Sequence, residues 1–155
     1  MNTSVSQAAS SQPRPAYILP ALAPVYAAIG DIAETLLRVV AGVALVAHGW
    51  SKIQDPLRMT GMVEGLGFFP GWFWAPALAA TEFVGGLFLI VGLLTRPAAL
   101  AATVVLLVTV WFHWIMQGEG YSGAELSILW SAITFYFVAK GANRHSLDHL
   151  IGRQV

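Results

Sequence analysis

The stretch Trp72–Thr95 (WFWAPALAATEFVGGLFLIVGLLT) holds a single charged residue, Glu82, near its middle. About 20 apolar residues at a 1.5 Å rise cross the hydrocarbon layer of a bilayer, so a run of this length reads as a membrane-spanning helix. A carboxylate inside such a helix is costly, on the order of several kcal/mol, unless it is paired, protonated or reached by water. The segment therefore names the solvent of the chain. Its one acid points to polar partners inside a helix bundle.

Composition agrees. The 155 residues are 57% hydrophobic and only 10% charged, whereas a soluble domain carries about 25% charged residues. Such a chain cannot cover a water-facing surface, and it reads as one integral membrane domain. Net charge is zero with no basic run, which leaves no footprint for nucleic acid. The absence of cysteine removes thiol–disulfide chemistry, thiolate metal sites and iron–sulfur clusters. The start, MNTSVSQAASSQPRPAY, is rich in Ser, Gln and Pro and lacks the basic start and compact apolar run of a signal peptide. Residues 1–30 are expected to be a flexible tail, with Ala21–Gly30 able to form a short interfacial helix.

Four apolar segments follow, roughly Ile32–Lys52, Trp72–Leu94, Pro97–Met116 and Ala124–Lys140. The expected fold is all-α: a polytopic membrane four-helix bundle over residues 31–140, with a cytoplasmic tail at 141–155. Thr95-Arg96-Pro97 joins the second and third segments as a tight hairpin, since Arg96 does not belong in lipid and Pro97 suits a first helical turn. In the longer 53–71 connection, Asp55-Pro56 reads as an N-cap and first position, and Gly65 and Gly67 stop the chain. A short interfacial helix is expected there, anchored by Phe68, Phe69, Trp72 and Trp74. An even number of crossings puts both termini on one side. That side carries Arg14, Arg96, Lys140, Arg144 and Arg153, against Lys52 and Arg58 opposite, so the positive-inside rule places both termini in the cytoplasm. Trp50, Trp72, Trp74, Trp111 and Trp114 then fall towards the outer face. The small-residue pairs Gly61/Gly65 and Ala98/Ala102 have the spacing that allows close helix approach.

This topology gives the ionisable residues a depth. Glu82, His48, His113 and Glu125 populate the outer half of the bundle, one per helix, with Lys52 one turn from His48 at i+4 and Arg38 deeper. Each has a structural explanation. Arg38 can pair with Glu82 or with Glu34, Glu125 has capping-box spacing from Ser122, and each His can be an interhelical hydrogen-bond donor. Met59, Met62 and Met116 read as apolar filler. Taken together, one ionisable group per helix is an unusual expense in lipid. Such a cluster suits a quinone headgroup, whose carbonyls take His, Arg or Lys donors and whose ring takes Trp or Phe walls. Quinone reduction consumes protons, so Glu82 and His48 would serve as proton relays. Arg38, His48, Lys52, Glu82, His113 and Glu125 are the candidate binding residues. A metal ion held by His and Glu, or a haem on His48 and His113, is the lesser alternative, since no metal or haem motif is present.

The ordered set Leu37-Arg38 with Gly42, His48-Gly49-x-x-Lys52, the Gly65–Pro70 turn, Glu82-x-x-Gly85-Gly86, Gly92-x-x-Thr95-Arg96 and Gly141-x-x-Arg144-x-Ser146-Leu147-Asp148 resembles the DoxX family of small four-helix membrane proteins. It runs from about Leu36 to Ile151. The resemblance implies a cytoplasmic-membrane protein linked to oxidoreductase systems. Some relatives are subunits of a thiosulfate:quinone oxidoreductase, and others are associated with quinone, catechol, thiol or superoxide stress. Arg38, His48, Lys52, Glu82 and Arg96 match the family's recurrent polar positions, while His113 and Glu125 come from the depth argument alone. Arg96 is expected to reach carbonyls at a helix C-terminus, and Ser146 to cap a short helix, Leu147–Ile151. The leading expectation is a quinone-interacting subunit of a membrane redox complex, with a protein partner or a second copy. A non-enzymatic scaffold whose buried polar groups fix helix register is the alternative. A carrier is disfavoured, because the inverted repeats and broken helices that mark transporters are not evident.

Overall fold

The computed structural model describes residues 18–152. Among these residues the chain is all helical. A 3-10 turn at Pro20–Leu22 leads into α1 (Ala23–Gln54), followed by α2 (Thr60–Gly65), α3 (Gly71–Val91), α4 (Thr95–Trp111), α5 (Gly120–Lys140) and α6 (Leu147–Ile151). A π-helical turn, Phe112–Met116, extends α4. Three helical stretches are long and apolar enough to cross a membrane: Gly71–Val91, Thr95–Met116 and Gly120–Lys140. The long α1 lies against α3, and α4 against α5.

Ala21–Gly30 is not a separate helix. Pro24 occupies the first turn of α1, where a missing N–H does no harm, and the helix then runs unbroken to Gln54. The expected tail over residues 1–17, with Arg14, lies outside the described residues, as does Arg153. The short helix in the connection exists but begins at Thr60, not at Pro56. Asp55 ends α1 instead of capping α2, because its carbonyl accepts the Arg58 N–H in a turn. α3 ends at Gly92, whose φ of 70° is the left-handed conformation that suits glycine. Gly92 N–H donates to Leu89 O and Leu93 N–H to Phe88 O, which closes a Schellman motif. The hairpin turn is therefore Gly92–Leu94, and α4 starts at Thr95 with Pro97 in its first turn.

The interior is made of small side chains. Ala98, Ala99 and Ala102 of α4 are buried with Leu45, Leu89 and Phe137, so the Ala98/Ala102 pair does serve close packing. Gly61 and Gly65 do not, since a Cβ on either would meet nothing within 4 Å. Between α4 and α5, Thr103 Oγ1 donates to Thr134 Oγ1 at 2.8 Å and also reaches Ala99 O. Where no hydrophobic force acts between helices, such bonds and close packing hold them.

Candidate functional site

Three glycines bring the central pair together. A Cβ on Gly42 of α1 would stand 2.7 Å from Gly86 O, and one on Gly86 would stand 2.8 Å from Gly42 O. A Cβ on Gly49 would stand 2.7 Å from Phe83 N and 2.9 Å from Glu82 Cβ. Only glycine allows α1 and α3 to cross this closely. Lys52, one turn beyond Gly49, then reaches Glu82. Its Nζ donates to Oε1 at 2.6 Å and to Oε2 at 2.5 Å. Glu82 sits midway along α3 and is 7% exposed, while the Lys52 side chain is 21% exposed. The acid that the sequence left without a partner is thus neutralised from the neighbouring helix, and the pair opens on its Lys52 side.

His48 lies one turn before Lys52 on α1 and is exposed. It enters no hydrogen bond or ion pair among the described residues. Trp50, also exposed, packs on Phe83 with ring centroids 5.7 Å apart. His48 and Lys52, at i and i+4, share one edge of the α1–α3 seam with Glu82, while Trp50, two residues from His48, flanks the opposite edge with Phe83.

Arg38 belongs to a different cluster. It pairs with neither Glu82 nor Glu34. Arg38 is 1% exposed, and its guanidinium donates through Nη1 to Leu89 O and Ile90 O (3.0 Å) and through Nη2 to His145 O (2.7 Å). Leu89 O, which already accepts from Gly92 N–H, takes Nη1 as a second donor at the left-handed turn, and a Cβ on Gly92 would stand 2.5 Å from Arg38 Nη1. Asp148 completes the cluster. It accepts from Leu94 N–H (2.7 Å) and Thr95 N–H (2.9 Å), and its own N–H donates to Gly92 O. It thereby caps α4 and holds Leu94 at a φ of 46°, a strained value for a residue with a side chain. Ser146 caps α6 through His149 N–H, with the expected bounds Leu147–Ile151. Arg96 Nη2 reaches Lys140 O at 3.5 Å, the last residue of α5, as its position suggested. Glu34 takes Lys140 and Tyr136 as partners, and Asp31 takes Arg144 at 2.8 Å. The C-terminal segment is stapled to the start of α1 and to the α3–α4 turn.

His113, in the π turn, meets Glu119 with Nδ1 to Oε2 at 2.7 Å. Glu119 does not figure among the sequence candidates. Its neighbour Gly123 marks it, since a Cβ there would stand 2.3 Å from Glu119 Oε2. The capping box of Ser122 and Glu125 does not form, because α5 already begins at Gly120. Glu125 is exposed and without an ion pair among the described residues. Counted by rise per residue through the helix contacts, His113 and His48 stand roughly 15 Å apart along the bundle. Among the described residues no three His, Asp or Glu side chains gather as metal ligands. Two lateral grooves are apolar. One of about 330 Å³ lies between α3 and α4 beside Thr81, Gly85 and Pro97, and one of about 220 Å³ lies beside Leu37 and Tyr136. The six candidates thus divide: Lys52 and Glu82 meet with His48 beside them, while Arg38, His113 and Glu125 stand elsewhere.

Apolar helices of spanning length, packed through glycine and alanine and carrying an internal ion pair, define an all-helical multi-pass membrane protein. The chain belongs to the DoxX family, whose sequence model matches residues 33–114, from α1 into the π turn. It is 33% identical over 122 residues to an uncharacterized protein of Haemophilus influenzae (strain Rd), covering 73% of this chain and 86% of that one. It is 27% identical over 128 residues to the inner membrane protein YqjF of Escherichia coli (strain K12), covering 80% and 95%. No solved structure matches the chain.

Proposed function

We propose that the protein is an integral subunit of a membrane redox system that crosses the cell membrane four times, with α1 as the first crossing, and binds a quinone or quinol at the α1–α3 seam. The observation that carries this reading is the Lys52–Glu82 pair beside the unpartnered His48. Quinones live in the bilayer, so a polar site at a helix seam is reached laterally. Lys52 Nζ and the His48 imidazole supply donors for a carbonyl or phenolate oxygen. Glu82 supplies the counter-charge to the Lys52 ammonium in a medium that disfavours lone charges. His48 exchanges the proton that accompanies each electron. Electrons would come from a partner oxidoreductase. Arg96, Lys140 and Arg144 gather at the end that carries both termini, which supports a cytoplasmic location for that end.

The test is a thermal melt of the purified protein with a short-chain benzoquinone and with its quinol. Ligand at a hundred times Kd stabilises by about 2.7 kcal/mol. Glu82→Gln or His48→Ala should abolish the shift. No shift with either redox form counts decisively against the reading.

A scaffold role has its own observation. Leu147, Leu150 and Ile151 of α6 leave apolar side chains exposed at the terminal end, beside a C-terminal segment already fixed by Arg38 and Asp31. Such a fixed apolar edge suits a soluble partner. Loss of a co-purifying protein on truncation after Lys140, with no quinone-dependent shift in the full chain, would favour this role.

A further inference from the structure

The two helices of the seam do not end at the same level. Gly49 lies against Glu82 and Phe83, so in this antiparallel pairing Gln54, the last residue of α1, stands level with about Ala77. α3 runs on to Gly71, about six residues or roughly 9 Å further. Beyond Gln54 the chain leaves the helix and turns through 55–59 before α2. Asp55 and Arg58 are exposed there and enter no ion pair among the described residues. Irregular backbone and lone charges do not sit against acyl chains. Trp50, one turn below Gln54, is 57% exposed, which suits an aromatic ring at headgroup level. On α3 the corresponding exposed rings, Trp72 and Trp74, stand near its start. The polar boundary therefore steps down on the α1 side, and Lys52 lies within one turn of it.

The opposite direction is closed. Below the pair, Gly42 and Gly86 leave no gap between the helix backbones, Leu45 and Leu89 are buried, and the Arg38–Asp148 cluster covers the end.

We infer that water enters a recess from the side of the 55–70 segment and reaches the Lys52–Glu82 pair, so the pair exchanges protons with that aqueous phase and not with the phase bathing the termini. The inference rests on α1 and α3 crossing the bilayer as proposed above. It gives the site a direction that quinone binding alone does not.

The chain has no cysteine, so single cysteines report directly. Gly65→Cys and His149→Cys mark the two faces. His48→Cys, on the same face as Lys52, and Lys52→Cys probe the recess, and Val84→Cys probes the lipid face of α3 at the depth of His48. A membrane-impermeant maleimide is applied to vesicles of each orientation. Because maleimide reacts with the hydrated thiolate, the recess positions should label at least about tenfold faster than Val84→Cys, and only from the Gly65 face. His48→Cys uses a position outside the ion pair and keeps the test valid if Lys52→Cys fails to fold. Labelling of both recess positions as slow as Val84→Cys, or equally fast from the His149 face, overturns the inference. Labelling of Gly65→Cys and His149→Cys from one face overturns the crossings of α3, α4 and α5 between them, and labelling of Ile18→Cys, ahead of α1, from the Gly65 face overturns the crossing of α1. The assay contains no quinone, so a labelled recess without a quinone-dependent melt would sink the quinone reading alone.

Discussion

Removing one member of the Lys52–Glu82 pair tests whether the two charges are coupled as the distances require. Glu82 Oε1 and Oε2 both accept from one ammonium, at 2.6 and 2.5 Å, and the Glu82 side chain is only 9% exposed. Breaking a buried pair by deleting one partner costs about 3–5 kcal/mol, because the other charge is left stranded. Lys52 keeps some solvent contact at 21%, which lowers the expectation for Glu82→Gln to about 3 kcal/mol. Lys52→Met strands the more deeply placed carboxylate and should cost about 4 kcal/mol. In the double variant no charge remains, and the loss should fall to about 1–2 kcal/mol, since apolar replacement of a whole pair is often near neutral. Independent sites would instead add to about 7 kcal/mol. The assay is reversible unfolding in mixed detergent micelles, followed by tryptophan fluorescence, with the four proteins forming a double-mutant cycle. Additive losses, or a Glu82→Gln cost within about 0.5 kcal/mol of zero, would refute the pairing and with it the register of α1 on α3.

Gly42→Ala places a methyl 2.7 Å from Gly86 O and 2.9 Å from Ile90 N. It should cost about 1–3 kcal/mol by forcing the helices apart, whereas Gly30→Ala, with nothing within 4 Å of the added atom, should not destabilise in the same melt. Asp148→Asn keeps the shape of the α4 cap but removes the charge that faces two N–H donors and Arg38. It should cost about 1–3 kcal/mol and hasten amide exchange at Leu94 and Thr95 first; unchanged exchange there would remove Asp148 from its role.

Much of the fold was legible because apolar length and turn residues are local signals. The α3–α4 hairpin, the continuation of helix past α4 to Met116, the Ser146 cap of α6 and the reach of Arg96 to the end of α5 follow from residues close in sequence or from helix polarity. The partners of the buried charges were not legible. α3 is apolar on nearly every face, so periodicity does not say which face meets α1, and the sequence leaves Arg38 a choice between Glu82 and Glu34. The register is set by Gly42, Gly49 and Gly86, whose meaning lies in what approaches them and not in their spacing. The place of Arg38 is not legible because its acceptors are main-chain carbonyls at the left-handed Gly92 turn, more than fifty residues away. Asp148 caps α4 from a similar distance. The sequence spreads its candidate residues over four helices, and the structure brings Lys52 and Glu82 together with His48 one turn away on α1.

The proposal that this seam receives a quinone is tested most directly by photolabelling. A short-chain azidoquinone is crosslinked to the protein in bilayers, and the modified peptides are mapped. The account expects label within 43–53 of α1 or 78–86 of α3, competed by unlabelled quinone and lost in His48→Ala. Label confined to α4 and α5, or spread over every lipid-facing helix and insensitive to competition, would contradict it.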